Sequence, residues 1–368
     1  MNSLGNVYFF SGYPGYLATY LIKRIFQAEY PVQHIYALVL PSMMQDAEKS
    51  LKNLLNDTGI DEGKITLVEG DITQENLGLE HDSIRLLQDS VTHVFHLAAI
   101  YDLAVPFEPA QKVNVFGTKN MNDFVLSLTN LERYIYFSTA YVAGKRQGVI
   151  YEDELEHDKG FNNHYEKTKY EAEKLLEELE SDIPITIIRP GIVVGHSETG
   201  ETLKFDGPYF VLNFIRHLRF MPILPYFGNL DAKVNLVPLD YIIEATVFFA
   251  HDTSKESQTY HLTDPSPYTA RELYSMFMQE YLGRKPRGRV PLKSAEMLLS
   301  IPFFRKWLQT EKQVLDYFTD QCEYDCRNAQ KGLENSTISC PDFKSIIPNL
   351  VKYYREHEKN EEKHVKIS

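Results

Sequence analysis

Short apolar runs alternate with amphipathic stretches through the first half of the chain. Val7–Ser11, His34–Leu40, Ile65–Gly70, Val91–Leu97 and Tyr134–Ser138 are brief and rich in Val, Ile, Phe and Tyr, the pattern of strands buried on both faces. Between them, Tyr16–Ala28, Asp46–Asn56 and Pro109–Leu128 carry apolar residues at helical spacing. Pro184–Arg189 reads as a sixth strand. Such alternation predicts the α/β class, a doubly wound parallel sheet with helices on both faces.

After about Gly195 the alternation loosens, and aromatic and proline-rich segments appear. A strand–helix unit over Val234–Ala250 and a strand over Thr259–Thr263 are expected to return to the sheet. The division expected is 1–195 plus about 230–265 as a nucleotide-binding domain, and about 196–230 plus 266–355 as a smaller, mainly helical substrate domain. Residues 356–368 are mostly charged and are expected to fray.

Composition narrows the class. The chain has 368 residues, 43% hydrophobic and 24% charged, enough apolar material for a large globular unit. A formal net charge of −13 makes nucleic acid an unexpected partner. Cys322, Cys326 and Cys340 form no close pair, which fits reduced thiols and no metal site. The chain enters an apolar strand within a few residues and has no long uncharged apolar stretch, so no signal segment or transmembrane span is expected and a cytoplasmic location is.

The first strand runs into Ser11-Gly12-Tyr13-Pro14-Gly15-Tyr16-Leu17-Ala18 and then a helix. Glycines at 12 and 15 let the backbone approach a pyrophosphate, and the helix N-terminus offers amides and a positive dipole. A Rossmann-type dinucleotide site is expected there. The second strand ends Leu38-Val39-Leu40-Pro41-Ser42, without the acid that would bond a ribose 2′-hydroxyl. Nothing there repels a 2′-phosphate and Ser42 offers it a hydroxyl, so NADP(H) is favoured over NAD(H). Asp71, in Gly70-Asp71-Ile72, either accepts from an adenine amino group or caps its own turn.

Tyr-x-x-x-Lys occurs at 141/145, 165/169, 170/174 and 281/285. Gly144 and Gly283 make the first and last poor helices. Stepping by four and three from Tyr165 gives Lys169, Ala172, Leu176 and Leu179, an apolar stripe; stepping from Tyr170 gives Lys174, Glu177 and Glu178. Tyr165 and Lys169 are therefore the pair expected to face inward. Ser138 and Thr139 close the fifth strand at the ligand-binding edge, where one hydroxyl either holds a substrate carbonyl or caps a turn. Asn114 either orients water or backbone near that site or satisfies its own helix. The expected chemistry is a hydride transfer in which Lys169 lowers the Tyr165 pKa, Thr139 orients the carbonyl and Tyr165 supplies the proton.

With these residues located, the chain resembles the extended short-chain dehydrogenase/reductase family over about residues 5–265. The resemblance rests on Gly12-x-x-Gly15-x-x-Ala18, Gly70-Asp71-Ile72, His96-Leu97-Ala98-Ala99, Asn114-Val-Phe-Gly-Thr118, Ser138-Thr139, Tyr165-x-x-x-Lys169 and Arg189-Pro190-Gly191. It implies Thr139, Tyr165 and Lys169 as catalytic residues, and Ala98, Ala99, Asn114, Pro190, Gly191 and Val193 as cofactor lining. Residues 188–200, 206–210 and 234–240 look most like the thioester-reductase and fatty acyl-CoA reductase branch. That branch reduces acyl thioesters with NADPH, although its arginine after the second strand stands here as Leu40. The resemblance implies a lipophilic substrate presented on coenzyme A or a separate carrier protein. In this reading Phe205–Phe227 either supplies an apolar tunnel or is simply core, and Arg284–Arg289 either grips phosphates or forms a solvated loop. The competing readings are a hydroxysteroid-type dehydrogenase or sugar-nucleotide epimerase of the same family, and a non-enzymatic dinucleotide sensor.

Overall fold

The structure is a computed structural model that describes residues 5–102, 105–228, 230–254, 256–291, 293–294, 297, 300–309 and 322–365. Seven strands form its main sheet: β1 (Asn6–Ser11), β2 (Val32–Val39), β3 (Ile65–Glu69), β4 (His93–His96), β5 (Arg133–Phe137), β6 (Ile185–Pro190) and β7 (Gln258–Leu262). They run parallel in the order β3-β2-β1-β4-β5-β6-β7. The chain winds one way from β1 and then the other, which opens a crevice at the carboxyl ends of β1 and β4.

Strand periodicity explains why both faces are covered. In β1, Tyr8 and Phe10 point into one core, with Ile35, Ala37 and Val39 of β2. That core is roofed by α1 (Tyr16–Gln27) and α2 (Met44–Thr58). Val7 and Phe9 point into the opposite core. There they meet α3 (His81–Ser90), α4 (Gly117–Leu126) and α5 (His164–Glu177) through Leu87, Met121, Phe124, Ala172 and Leu176. The helical run ahead of α4 contains a π-helical turn over Gln111–Phe116, a local widening that often marks functional sites.

A second body of apolar residues joins α6 (Tyr209–His217), α8 (Ala270–Leu282) and α9 (Phe343–His357). Between these comes α7 (Leu239–Ala250), which packs on the first core beside α1. A capping box of Thr269 and Glu272 starts α8, and Gly283 ends it with φ at +68°.

The structure corrects several expectations. Leu236–Pro238 does not join the main sheet but pairs in parallel with Ile192–Val194. Pro190 has no N–H with which to extend β6, and Gly191 lets the chain pass within contact of the Asn235 carbonyl, 2.8 Å from where a Cβ would lie. Cys326, Ala329 and Leu333 enter the first core, so residues 322–333 pack with the main body instead of the smaller one. The tail is held as far as His364: Phe205 N–H donates to the Lys363 carbonyl (2.7 Å), and Lys363 Nζ to the Thr202 carbonyl (2.8 Å). The helical expectation over 310–321 lies outside the described residues. Among those residues no helix is long and apolar enough to cross a membrane.

Candidate functional site

Strand registers bring the candidate residues to one edge. Ser11 pairs with His96, His96 with Tyr136, and Phe137 with Ile188, so these four strands end nearly in line. Gly12, Ala98, Ser138 and Pro190 follow just past that line.

Gly12 has φ +88°, and a Cβ there would sit 2.8 Å from Ala98 N. A Cβ on Gly15 would sit 2.5 Å from the Gly12 carbonyl. Only glycines fit this turn. Gly15 caps α1 without a side-chain hydrogen bond, and no acid occupies the first turn. The exposed amides and dipole therefore fit a pyrophosphate. The rest of the turn contributes backbone: Tyr13 is buried in the first core, Leu17 packs on it, and the Tyr16 phenol donates to the Glu201 carbonyl (3.0 Å). Pro14 is half-buried. Leu40, 41% exposed, and Ser42 lie on the surface just past β2 at the same edge. Asp71 Oδ1 accepts from Thr73 N–H (2.8 Å) and so caps its own turn. Ile72 is buried against Gly117.

A buried chain of hydrogen bonds underlies this turn. Ser11 Oγ accepts from the Leu97 and Ala98 amides and lies 2.7 Å from His96 Nδ1. With its lone pairs so used, Ser11 donates to Nδ1, which leaves the His96 proton on Nε2, 3.1 Å from Thr118 Oγ1. Thr118 in turn donates to the Asn114 carbonyl (2.6 Å). Burial, and secondly the Lys169 charge, lower the His96 pKa to about 3, so the ring is neutral. The Asn114 side chain is fully used: Oδ1 accepts from Ile100 N–H (2.8 Å), and Nδ2 donates to the Ile100 carbonyl and Thr168 Oγ1 (both 3.0 Å). Of its two expected roles, it orders backbone. Ala99 is half-buried in the segment this bonding holds.

Asn163 caps α5, accepting from Glu166 N–H (2.9 Å), while the Glu166 carboxylate accepts from Asn162 N–H (2.9 Å). Tyr165 and Lys169 are thus fixed from the first turn. Burial raises the Tyr165 pKa to about 12, outweighing the opposing effect of the neighbouring Thr139 hydroxyl, whose oxygen accepts from the Tyr141 N–H (3.3 Å). The expectation that Lys169 lowers the Tyr165 pKa is corrected, because its ammonium is directed elsewhere. Lys169 Nζ donates to the Phe137 carbonyl (2.5 Å) and to the Tyr136 hydroxyl (2.7 Å), 4.1 Å from that ring's centroid. Burial lowers the Lys169 pKa to about 7, against Glu173, which raises it. Tyr170 instead packs between His157 and Phe161, and Lys174 pairs with Glu156 at the surface.

Sequence reasoning missed Tyr136 and Glu173. Glu173 is buried and accepts from Arg189 Nε (2.8 Å) and Nη2 (2.5 Å), and from the Ser138 hydroxyl. Ser138 Oγ is thereby turned from the ligand edge, which corrects its expected side-chain role there. One carboxylate ties α5, the end of β5 and the Arg189-Pro190-Gly191 turn together. Gly191 is buried, and Val193 pairs with Val237 in the short ladder.

Replacing Tyr136 by Phe tests its part. Removing an acceptor disfavours the charged ammonium, so the Lys169 pKa falls further. If activity requires that charge, it is lost as pH rises, and the alkaline limb should move down by about one pH unit. A pH–rate profile superimposable on the parent's contradicts the role.

The model of the male sterility protein family, an NAD-binding domain, matches residues 10–246. The chain belongs to this family. Among curated members similar to it are the fatty acyl-CoA reductase wat of Drosophila melanogaster and the alcohol-forming fatty acyl-CoA reductase of Simmondsia chinensis. The first is 25% identical over 67% of this chain and 54% of its own length. The second is 24% identical over 68% and 65%. The chain thus spans about half to two thirds of these two proteins. The terminal R domain of the myxalamid PKS-NRPS pathway shares the fold with a TM-score of 0.81, at 25% identity over 98% of this chain and 93% of that one. Family and fold place the chain among the extended short-chain dehydrogenases/reductases, and the relatives named are reductases.

The second-body residues depart from the expected site. Phe205, Tyr209, Leu212, Ile215 and Leu224 are buried against α8 and α9, so they form core and not a tunnel wall. Arg284 donates to the carbonyls of Arg219 (3.1 Å), Met221 (2.7 Å) and Pro222 (2.9 Å), which corrects its expected hold on a phosphate.

Proposed function

We propose that this chain is an NADPH-dependent reductase of lipophilic acyl thioesters, carried on coenzyme A or on a carrier protein. The observation that supports it most is the placing of Tyr165 beside Thr139, on the helix that buries Lys169 against the Phe137 carbonyl, at the strand edge that also holds the Gly12–Gly15 turn. At neutral pH a phenol with a pKa of about 12 keeps its proton, the state an acid catalyst needs before a carbonyl is reduced.

A dinucleotide held at the Gly12–Gly15 turn would supply a hydride for the thioester carbonyl carbon. Thr139 orients the carbonyl oxygen, and Tyr165 donates its proton to that oxygen as the C–H bond forms. The resulting hemithioacetal breaks its C–S bond as its hydroxyl proton passes to sulfur, so aldehyde and free thiol leave together, and Tyr165 regains its proton from solvent. Lys169, as an ammonium, would hold a ribose hydroxyl with the N–H that the Phe137 carbonyl and Tyr136 hydroxyl leave over.

The test is a panel of acyl-CoAs, fatty aldehydes, ketones and UDP-sugars with NADPH or NADH, followed by cofactor oxidation and thiol release. Thiol release with acyl-CoAs is the expected outcome. Turnover of ketones or UDP-sugars alone would move the chain to the dehydrogenase or epimerase reading.

Cofactor choice follows from the end of β2. Leu40→Asp sets a carboxylate where a 2′-phosphate is expected, and should shift the NADPH/NADH preference about tenfold toward NADH. A parent protein that already prefers NADH strongly contradicts the NADPH assignment.

A further inference from the structure

Residues 284–307 hold seven Lys and Arg against the single acid Glu296, in a chain whose formal net charge is −13. Ile301, Phe303 and Trp307 are interleaved with these cations. Large apolar side chains among basic ones are the composition of a segment at a lipid–water boundary.

The structure turns both kinds of side chain outward. In the short helix Pro302–Leu308, Phe303 is 71% and Trp307 39% exposed. These two lie four residues apart on the outer face beside exposed Lys306, while Leu308 is buried. The helix is anchored: the Trp307 ring meets His217, and Asn213 Nδ2 donates to the Gln309 carbonyl (2.9 Å). The loop after α6 exposes Phe220, at 72%, and Ile223. Arg284, by binding three carbonyls of that loop, holds it beside exposed Lys285 and Arg287.

We propose that this end of the smaller body docks the protein on an anionic lipid surface. Phe303, Trp307, Phe220 and Ile223 enter the headgroup layer, and Lys285, Arg287 and Lys306 meet lipid phosphates. Charge decides the occupant: an otherwise acidic molecule is repelled by such a surface except where its cations gather. The docking does not depend on the chemistry proposed above. It adds where the substrate is met, because long acyl chains partition to that surface.

Trp307 is the chain's sole tryptophan, so its emission reports this helix alone. The full-length chain is mixed with vesicles of phosphatidylcholine, with or without phosphatidylglycerol. It should sediment with the anionic vesicles, with Trp307 emission shifted to the blue, and should be released by salt. Replacing Lys285 and Arg287 together by Gln should weaken partitioning roughly thirtyfold. Phe303→Ser should weaken it too, with unchanged thermal unfolding and unchanged turnover of a water-soluble thioester. Failure to sediment with either vesicle overturns the proposal, as does sedimentation without a Trp307 shift. An acidic acyl carrier protein that shifts Trp307 where vesicles do not also overturns it. Because vesicle binding is read without turnover, an inactive protein that binds vesicles refutes only the catalytic reading.

Discussion

Tyr165→Phe is expected to lower kcat by about 10²- to 10⁴-fold while cofactor affinity stays close to the parent's. The substitution removes one hydroxyl at the start of α5 and leaves the Asn163–Glu166 cap and the Lys169 contacts in place. Kinetics at saturating cofactor and a binding titration separate the two quantities. Tyr170→Phe should stay within a few-fold of the parent, since that ring is packed by His157 and Phe161 away from the strand edge. Comparable damage from Tyr170→Phe, with Tyr165→Phe active, contradicts the assignment.

Glu173→Ala should cost about 3–5 kcal/mol of stability. Its carboxylate is the sole carboxylate ion-paired with Arg189 among the described residues, and both side chains are almost wholly buried. Without it the guanidinium keeps only the Glu152 and Glu154 carbonyls and His261. The Ser138 hydroxyl also loses its acceptor. Urea unfolding with an unchanged m-value measures the loss. A midpoint that implies less than about 0.5 kcal/mol would mean the pair is not structural.

How much the chain disclosed depended on the range of the contacts involved. Strands and their covering helices were legible because β1 and β2 carry unbroken apolar runs that only a sheet covered on both faces can bury. The inward face of α5 followed from local spacing, since residues three and four apart must share a side. Glu173 was within the same reach: one more step of four from Lys169 arrives at it. The apolar stripe is carried by Ala172 and Leu176, a pattern in which a carboxylate has no evident place. Tyr136 also left a signal, a phenol in a wholly buried strand whose hydroxyl needs a buried partner.

Other features had no local signature. Tyr209, Leu212 and Ile215 repeat at helical spacing, but nothing nearby says that α9, more than a hundred residues on, covers them. The same holds for the tail, where the Phe205–Lys363 backbone bond joins distant segments. The Lys169 ammonium is directed to a strand carbonyl, and that depends on the depth of α5 against β5, which spacing does not report.

Hydride transfer to a thioester carbonyl at the Tyr165 site is open to direct measurement. The direct measurement uses NADPH carrying deuterium at the transferable C4 position, a long-chain acyl-CoA, and mass analysis of the product. Deuterium should appear on the former carbonyl carbon, with free coenzyme A in proportion to aldehyde formed, and Tyr165→Phe should slow both by about 10²- to 10⁴-fold. Thiol release without deuterium on that carbon, or deuterium transfer that survives Tyr165→Phe unchanged, would contradict it.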